Sequence, residues 1–394
     1  MTPGARAQAA IEILDQVIAA AVDNAAAADT LIQRYFKTRR YAGAGDRRAV
    51  RELAYAAIRR AGERPASGRA ALIGLAQDRT DLAALFDGSS HAPAAIVAGD
   101  QPAVAGIAPV WLADRLAAAI GAGELPALLA RAPLDLRVNR LKATRDDVLP
   151  QFPGAEPGRL SPDALRLGEG VQVEAHPAFQ QGLVEVQDEG SQLVAAAARA
   201  RPGMTVVDLC AGAGGKTLAL AAAMAGEGRL IACDVDRQRL KPLPARAERA
   251  GVANVEPRLL DGHREVEGLA DLVGRADVVL VDAPCSGSGT WRRNPEARWR
   301  LTPDRLARLT ALQDHVLALA APLVRPGGRL AYAVCSLLPD EGPERIAAFR
   351  TAHPRWQADP DPIAAGRPVG DGRLLTPAHD GTDGFFIAAL TAPC

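Results

Sequence analysis

Residues 208–217 of this 394-residue chain read Asp208-Leu209-Cys210-Ala211-Gly212-Ala213-Gly214-Gly215-Lys216-Thr217. The apolar run at 204–207 predicts a buried strand before them, and the Ala- and Leu-rich run at 215–225 predicts a helix after them. Glycines at such a junction let the backbone approach a ligand closely, and the helix start offers free N–H groups. No glycine stands five places before Gly215, so the loop does not match the phosphate-binding loop of nucleoside triphosphate hydrolases.

The chain around this loop divides into three predicted parts. Apolar runs without period 2, each followed by a helical segment, predict a doubly wound Rossmann-like α/β domain over 191–394. Helical spacing of apolar residues from 3 to 85 and a helix at 109–120 predict an all-helical domain over 1–130. Short alternating strands between Pro and Gly turns predict a small α+β connecting region over 131–190.

Cysteine usage and hydropathy exclude several classes of protein. The five cysteines form no CxxC pair, which argues against a disulfide framework and against a zinc site, so we expect no metal. No apolar run reaches the roughly 20 residues of a membrane span, and the N-terminus lacks the pattern of a secretory signal. We therefore expect a cytoplasmic protein that does not enter a membrane.

The formal charge sums to zero, with 46 Lys and Arg against 46 Asp and Glu, which would ordinarily argue against a nucleic-acid partner. The distribution is uneven, because residues 1–70 carry twelve basic against seven acidic residues. Six more arginines crowd a predicted loop and the following helix: Arg292, Arg293, Arg298, Arg300, Arg305 and Arg308. Arginine suits phosphate and base-stacking contacts, so this second group predicts contacts with RNA. The N-terminal group fits a solvated helix face equally well.

Two acidic residues follow the next predicted strands. Asp234 stands about 20 residues beyond the glycine-rich loop, the spacing at which a carboxylate binds ribose hydroxyls, and this indicates an adenosine-containing cofactor. That spacing does not separate a dinucleotide from S-adenosylmethionine, and Asp234 could instead cap the following helix. Asp261 could bond an adenine edge or serve as a turn residue.

Two cysteines stand at the ends of later strands, in Asp282-Ala283-Pro284-Cys285 and in Cys335-Ser336. A thiol pair at the ligand edge of the sheet suits methylation of a pyrimidine at C5, a carbon that is unreactive until a nucleophile adds to C6. Thiolate addition at C6 makes C5 nucleophilic, and later expulsion of the thiol restores the ring. Protonation at N3 would assist the addition, and Asp282 is the candidate acid. The target cytosine would have to be unpaired or flipped out of its helix.

These motifs resemble the RsmB/Sun family of RNA cytosine-5 methyltransferases. The similar segments extend over most of the chain: residues 136–142, 186–192, 208–217, 282–285, 291–295, 335–336 and 384–386. A weaker similarity at 46–53 links the helical domain to the NusB-like RNA-binding domain of bacterial members. In the glycine-rich loop this chain has Gly212 and Ala213 where the family usually has Ala and Pro, which puts the loop's fixed φ and its cofactor affinity in question.

The resemblance implies a role for each candidate residue. Cys335 would attack C6, and Cys285 would help the covalent adduct to break down. S-adenosylmethionine would lie against the loop from Cys210 to Lys216, with Asp234 on its ribose and Asp261 near its adenine. The loop residues assigned to the cofactor are Cys210, Ala211, Gly212, Ala213, Gly214, Gly215 and Lys216. Asp282 would face both cofactor and base, and Cys233 and Cys394 have no role.

The resulting prediction is an S-adenosylmethionine-dependent RNA cytosine-5 methyltransferase that acts on small-subunit ribosomal RNA as a monomer. Three alternatives stay open from the sequence. The chain could methylate cytosine in tRNA or DNA, or it could be a catalytically silent RNA-binding factor of ribosome assembly. A nicotinamide-dependent oxidoreductase would fit the glycine-rich loop but would leave both cysteines unexplained.

Overall fold

The computed structural model describes residues 1–22, 26–168, 170–262 and 264–394. The chain forms two compact units. The helical unit comprises Met1–Arg131 together with Thr290–Pro303, and the sheet unit comprises Ala132–Gly289 together with Asp304–Cys394. Over the described residues, no helix is both long enough and apolar enough to span a membrane.

The helical unit matches the all-helical prediction for this part of the chain, whereas its relation to NusB stays a prediction. Its core contains the fully buried side chains of Ile13, Leu14, Ile58 and Leu72. Within the first helix, the buried residues Ala10, Leu14, Val17 and Ala21 recur at helical spacing. The described helices of this unit are α1 (Pro3–Val22), α2 (Ala28–Lys37), α3 (Ala44–Arg60), α4 (Gly68–Asp78), α5 (Thr80–Ala83) and α6 (Val110–Ile120).

Residues 290–303 correct one of the predicted boundaries, because they pack with the helical unit rather than with the α/β domain. The Arg298 guanidinium is fully buried and donates to the carbonyl oxygens of Ile58 at 2.6 Å and Ala61 at 2.7 Å. Trp299 donates from Nε1 to the same Ala61 carbonyl at 3.1 Å. The last carbonyls of a helix lack internal partners, and a cation there satisfies them. Arg298, predicted to contact RNA, therefore serves to close the C-terminal end of α3.

The sheet unit begins with a small antiparallel sheet in the region predicted as α+β. Its strand order is β2-β3-β1-β4, and Leu136, Val138, Leu165 and Val184 form its core. The elements are β1 (Leu134–Val138), α7 (Arg145–Val148), β2 (Glu156–Pro157), β3 (Ala164–Leu167), α8 (Pro177–Gln180) and β4 (Val184–Val186). In the contact pattern this region belongs to the same compact unit as the larger sheet.

The larger sheet has nine strands in the order β11-β12-β13-β9-β8-β5-β6-β7, with β10 paired to β13. Strands β7, β6, β5, β8 and β9 are parallel, and the strands beyond β9 are antiparallel. The strands are β5 (Thr205–Asp208), β6 (Arg229–Asp234), β7 (Val255–Leu259), β8 (Ala276–Asp282), β9 (Val324–Val334), β10 (Gln357–Ala358), β11 (Arg367–Val369), β12 (Gly372–Leu375) and β13 (Phe385–Thr391). This is the predicted Rossmann-like sheet.

Helices connect the parallel strands, and the chain order reverses between β5 and β8. Ligands of open α/β sheets bind beyond the carboxyl ends of the strands at such a reversal. The ends of β5, β6, β8 and β9 carry Asp208, Asp234, Asp282 and Cys335, so the fold places the candidate residues there. The helices are α9 (Glu189–Ala197), α10 (Gly215–Ala223), α11 (Arg237–Leu240), α12 (Leu243–Ala250), α13 (Glu265–Gly268), α14 (Pro303–Ala320) and α15 (Pro343–Ala352).

Candidate active site

The glycine-rich loop runs from the end of β5 to the start of α10. Gly212 and Gly214 have φ angles of +53° and +84°, in the left-handed region that favours glycine. A Cβ at Gly214 would lie 2.3 Å from the Leu243 side chain. Arg246 donates to the Ala213 carbonyl at 2.7 Å, and Gly212 donates its N–H to Asp234 at 2.8 Å. Hydrogen bonds from Gly212 and to Ala213 thus hold the part of the loop in which the family usually has Ala and Pro.

Asp234 lies at the end of β6 and is almost completely buried. Its Oδ2 accepts the N–H of Gly212, and its Oδ1 accepts the N–H of Asp236 at 2.8 Å. Asp236, rather than Asp234, caps α11 by accepting the N–H groups of Gln238 and Arg239. The carboxylate of Asp234 keeps further lone pairs, so it is both fixed in position and able to accept from a hydroxyl group.

A cavity of about 170 Å³ lies beside Asp234. Its walls are mostly apolar, and the Asp234 carboxylate and Cys210 add polar groups. Apolar walls with an acidic group at one side are what a nucleoside needs, because the flat base packs against the walls and the ribose hydroxyls donate to the carboxylate. The apolar lining residues are Leu209, Val235, Leu260, Pro284, Leu312, Val316 and Leu319.

Asp261, the predicted adenine contact, is not among the residues that line the cavity. Its neighbours Leu260 and Gly262 line the cavity, but the Asp261 side chain is 60% exposed and pairs with Arg264 at 3.5 Å. The lining instead includes Glu265 and His315, whose side chains approach to 3.3 Å.

Cys285 and Cys335 are brought together by neighbouring strands. Strands β8 and β9 are parallel and pair Asp282 with Ala333, so the two segments that follow them run side by side. The two Sγ atoms lie 3.3 Å apart, within hydrogen-bond distance for sulfur. Of the two thiols, Cys285 has its pKa raised well above the ordinary value, by the hydrogen bond with Cys335, by burial and by the nearby charges of Cys335 and Glu341.

Cys210 and Cys233 differ from this pair. Burial raises the pKa of both thiols, that of Cys233 to about 12, and nearby aspartates add to the effect at Cys210. A thiol that keeps its proton is a poor nucleophile. All five cysteines are free in the structure, and the described residues contain no cluster of His, Cys, Asp or Glu suited to a metal ion.

Lys216, predicted as part of the cofactor loop, forms an ion pair with Asp282. Its Nζ lies 2.7 Å from Asp282 Oδ2, with the side chains 13% and 29% exposed. Burial lowers the pKa of Lys216, but the Asp282 carboxylate and the nearby Cys335 outweigh it, so the net shift is upward. The ammonium therefore lies within electrostatic range of both the candidate acid and the candidate nucleophile.

Two functional candidates lie outside the residues singled out from the sequence. Asp208 is fully buried, and burial raises its pKa to about 7. Its Oδ2 accepts from Thr217 at 2.7 Å, while Oδ1 has no partner in the described part of the chain. Glu341 is also fully buried and bonds to the serine that follows each cysteine. An acidic residue soon after the second Cys-Ser pair is the only signal for Glu341 in the sequence.

Comparison with known protein families gives two matches. Residues 195–391 match the sequence model of the 16S rRNA methyltransferase RsmB/F family, and residues 108–174 match its ferredoxin-like domain. The second match begins within the helical unit and covers most of the small sheet.

Individual relatives fit the same family. The probable ribosomal RNA small subunit methyltransferase B of Bacillus subtilis is 37% identical over 65% of this chain and 59% of its own length. The corresponding Enterobacter protein is 36% identical over 72% of this chain and 66% of its own length, so the chain spans less than two thirds of these relatives. The solved structure of PH0851 matches with a TM-score of 0.77 and 26% identity over 98% of both chains. The chain belongs to the RsmB/F family of 16S rRNA methyltransferases.

Proposed function

We propose that this protein methylates C5 of a cytosine in small-subunit ribosomal RNA, with S-adenosylmethionine as the methyl donor. The observation that carries the proposal is the pair of thiols 3.3 Å apart at the carboxyl ends of adjacent strands. The Lys216–Asp282 ion pair, whose ammonium lies in electrostatic range of Cys335, supports it, as does the cavity suited to a nucleoside. Family membership supplies the class of RNA.

The cavity residues fit S-adenosylmethionine. Asp234 would accept from the ribose hydroxyls, the apolar walls would hold the adenine, and the loop from Cys210 to Lys216 would face the remainder. Glu265 and His315 line this cavity and would be the polar groups available to the adenine, in place of the predicted Asp261. When bound, the cofactor supplies an electrophilic methyl group.

The side chains of this chain can supply the remaining chemistry. The Cys335 thiolate, stabilised by the Lys216 ammonium, donates an electron pair to C6 and forms an S–C6 bond. Asp282 lies beside the Lys216 ammonium, and a proton passed from Lys216 through Asp282 to N3 of the cytosine would favour the addition; N3 returns it when the thiolate leaves. C5 is then nucleophilic and would form a bond to the methyl carbon, while the electron pair of the broken S–CH₃ bond would stay on the donor sulfur, which leaves as a thioether.

Release requires a base for the C5 proton, and Cys285 is suited to it. Its pKa is raised chiefly by the hydrogen bond and charge of Cys335, together with burial. Bonding of the Cys335 sulfur to C6 ends its hydrogen bond to Cys285 and removes its negative charge. Cys285 releases its own proton to solvent before it acts as the base. It accepts the C5 proton, the C–H electron pair restores the C5–C6 double bond, and the Cys335 thiolate leaves.

The helical unit offers a surface for RNA. Its α2–α3 region carries exposed basic side chains together with Tyr41, which is 73% exposed. Positive charge beside an exposed aromatic ring suits the backbone and unstacked bases of single-stranded RNA. We call this set the α2–α3 basic surface: Arg34, Lys37, Arg40, Tyr41, Arg47 and Arg48.

The test is methyl transfer to 16S rRNA transcribed in vitro and to unmodified small ribosomal subunits, followed by mass spectrometry of the nucleosides. Wild-type protein should form 5-methylcytosine. Cys285→Ala should accumulate a protein–RNA adduct that survives denaturing gels, and Cys335→Ala should form neither adduct nor product. Full methylation by Cys335→Ala would overturn the mechanism, and methylation confined to tRNA or DNA would overturn the substrate.

A further inference from the structure

Glu341 lies six residues after Cys335 and is fully buried. Its Oε1 accepts the backbone N–H of Ser286 at 2.8 Å and Nε2 of Gln313 at 3.0 Å. Its Oε2 accepts from the hydroxyl groups of Ser286 and Ser336. A buried carboxylate is costly unless hydrogen bonds compensate for the lost water, and four donors do so here.

These bonds tie together the two loops that carry the thiols. Ser286 follows Cys285 directly, and Ser336 follows Cys335 directly. Gln313, on α14, donates to Glu341 and also to the carbonyl of Pro284, the residue before Cys285, at 2.9 Å. One carboxylate therefore holds the residue that directly follows each of the two cysteines.

Further bonds make the same connection. The Ser288 hydroxyl lies 3.0 Å from that of Ser336 and accepts the N–H of Leu337 at 2.9 Å. Gly289 donates its N–H to the Cys335 carbonyl at 3.0 Å. These hydrogen bonds hold the two loops together. Glu341 contributes the negative charge among the three serines Ser286, Ser288 and Ser336.

The charges around the two thiols are unequal. The Glu341 carboxylate, which accepts the N–H of the residue that follows Cys285, raises the pKa of that thiol. The Lys216 ammonium, paired with Asp282, acts on Cys335. Because the two sulfurs lie within hydrogen-bond distance of each other, a negative charge close to Cys285 favours leaving the proton on that sulfur.

We propose that Glu341 is a positioning residue that holds the two cysteine loops at thiol contact distance and directs the proton to Cys285 and the thiolate to Cys335. This inference rests on the proposed function for its catalytic meaning. It adds a physical reason why Cys285 and Cys335 have different roles. From the sequence alone, those roles are assigned only by resemblance to the family.

The first test needs no RNA and therefore does not depend on the proposed function. Alkylation of Cys285 and Cys335 by iodoacetamide is followed from pH 6 to 10 by peptide mass spectrometry, in wild type and in Glu341→Gln. The amide still accepts from Ser286 and Gln313, and the serine hydroxyls can reorient toward its NH₂ group. Loss of the charge should move the Cys285 profile about one unit toward lower pH.

The exposed Glu344, three residues further on, provides the matched control. Glu344→Gln should leave both alkylation profiles at their wild-type positions. A Glu341→Gln protein that keeps its thermal stability and shows wild-type profiles for both thiols would overturn the proposal.

The second test measures methylation and separates geometry from charge. Glu341→Gln should lower kcat about tenfold or more, with KM for RNA and cofactor within about twofold of wild type.

Glu341→Asp keeps the charge on a shorter side chain. We expect wild type to be alkylated at Cys335 at lower pH than at Cys285, and Glu341→Asp should keep this preference while its kcat falls. Loss of that preference in Glu341→Asp would overturn the role of the charge, and unchanged kcat in both variants would overturn positioning. Absence of 5-methylcytosine in wild type would refute only the proposed function.

Discussion

At the residue level, Lys216 is the one cation that the described contacts bring to both Asp282 and Cys335. Lys216→Met keeps the length of the side chain and removes its charge, so the thiolate and the carboxylate lose their shared counter-charge. We expect methylation to fall by ~10²-fold or more, the usual cost of losing a preorganised charge in an active site. Steady-state kinetics would measure it.

The control for this change is Lys241→Met, because Lys241 is exposed in the short connection between α11 and α12. Its activity should equal that of wild type. Full activity in Lys216→Met would remove Lys216 from the mechanism.

The thiol pair also predicts a response to oxidation. A disulfide needs its sulfurs about 2 Å apart, so a small approach of the two loops from 3.3 Å is enough to form one. Mild oxidation should link Cys285 to Cys335, abolish methylation and be reversed by dithiothreitol. Peptide mass spectrometry under non-reducing conditions would identify the link, and an oxidised protein in which neither cysteine is linked would contradict the expectation.

Asp208 predicts a pH dependence of stability. Burial raises its pKa to about 7 in the folded state, against about 4 in the unfolded chain. Between these values the folded state holds a proton that the unfolded state has released, so stability falls as pH rises from about 4 to about 7. Asp208→Asn should lose this dependence and gain stability relative to wild type at pH 7. Urea unfolding of both proteins at pH 5 and pH 7 measures the difference, and parallel changes in the two would contradict it.

At the element level, the glycine-rich loop contains two left-handed glycines, Gly212 and Gly214, and Gly214 is the more closely packed of the two. Gly214→Ala would place a Cβ 2.3 Å from Leu243 at a φ of +84°. We expect a loss of about 1–3 kcal/mol in stability and weaker cofactor binding, because the strain can be relieved only by moving the loop. Thermal unfolding and calorimetry with S-adenosylmethionine would show both effects.

Gly168→Ala is the control, since Gly168 lies outside the loop, no atom lies within 4 Å of the added Cβ, and its φ is not in the left-handed region. It should bind the cofactor as wild type does. Equal behaviour of the two variants would show that the loop tolerates the displacement.

The sequence predicts those elements whose signals are local. Apolar runs predict the strands, and their polar ends predict Asp234, Asp282, Cys285 and Cys335 as neighbours of one sheet edge. Glu341 escapes prediction because its importance comes from donors on three separate segments. Arg298 is misassigned for the same reason, since the carbonyls it bonds lie about 240 residues earlier in the chain.

At the level of the whole molecule, the zero net charge conceals the α2–α3 basic surface. The double variant Arg40→Gln/Arg48→Gln should weaken RNA binding. If each arginine contacts one phosphate of single-stranded RNA, the slope of the logarithm of the binding constant against the logarithm of salt concentration should become shallower by about 1.4. Titrations at several salt concentrations would measure the slope.

The matched control is Arg201→Gln/Arg355→Gln, which removes the same charge from exposed positions in the sheet unit. It should leave the slope at its wild-type value. An equal change in both double variants would show that overall charge, rather than this surface, governs RNA binding.

The segment 290–303 has a consequence for synthesis on the ribosome. Trp299 belongs to the core of the helical unit, yet it is translated about 170 residues after Arg131. At ordinary translation speeds that interval lasts roughly 10–30 s. During this interval the first helices have emerged from the exit tunnel, but Trp299 has not yet been synthesised. The core of the helical unit is therefore completed only when much of the sheet unit has also been made.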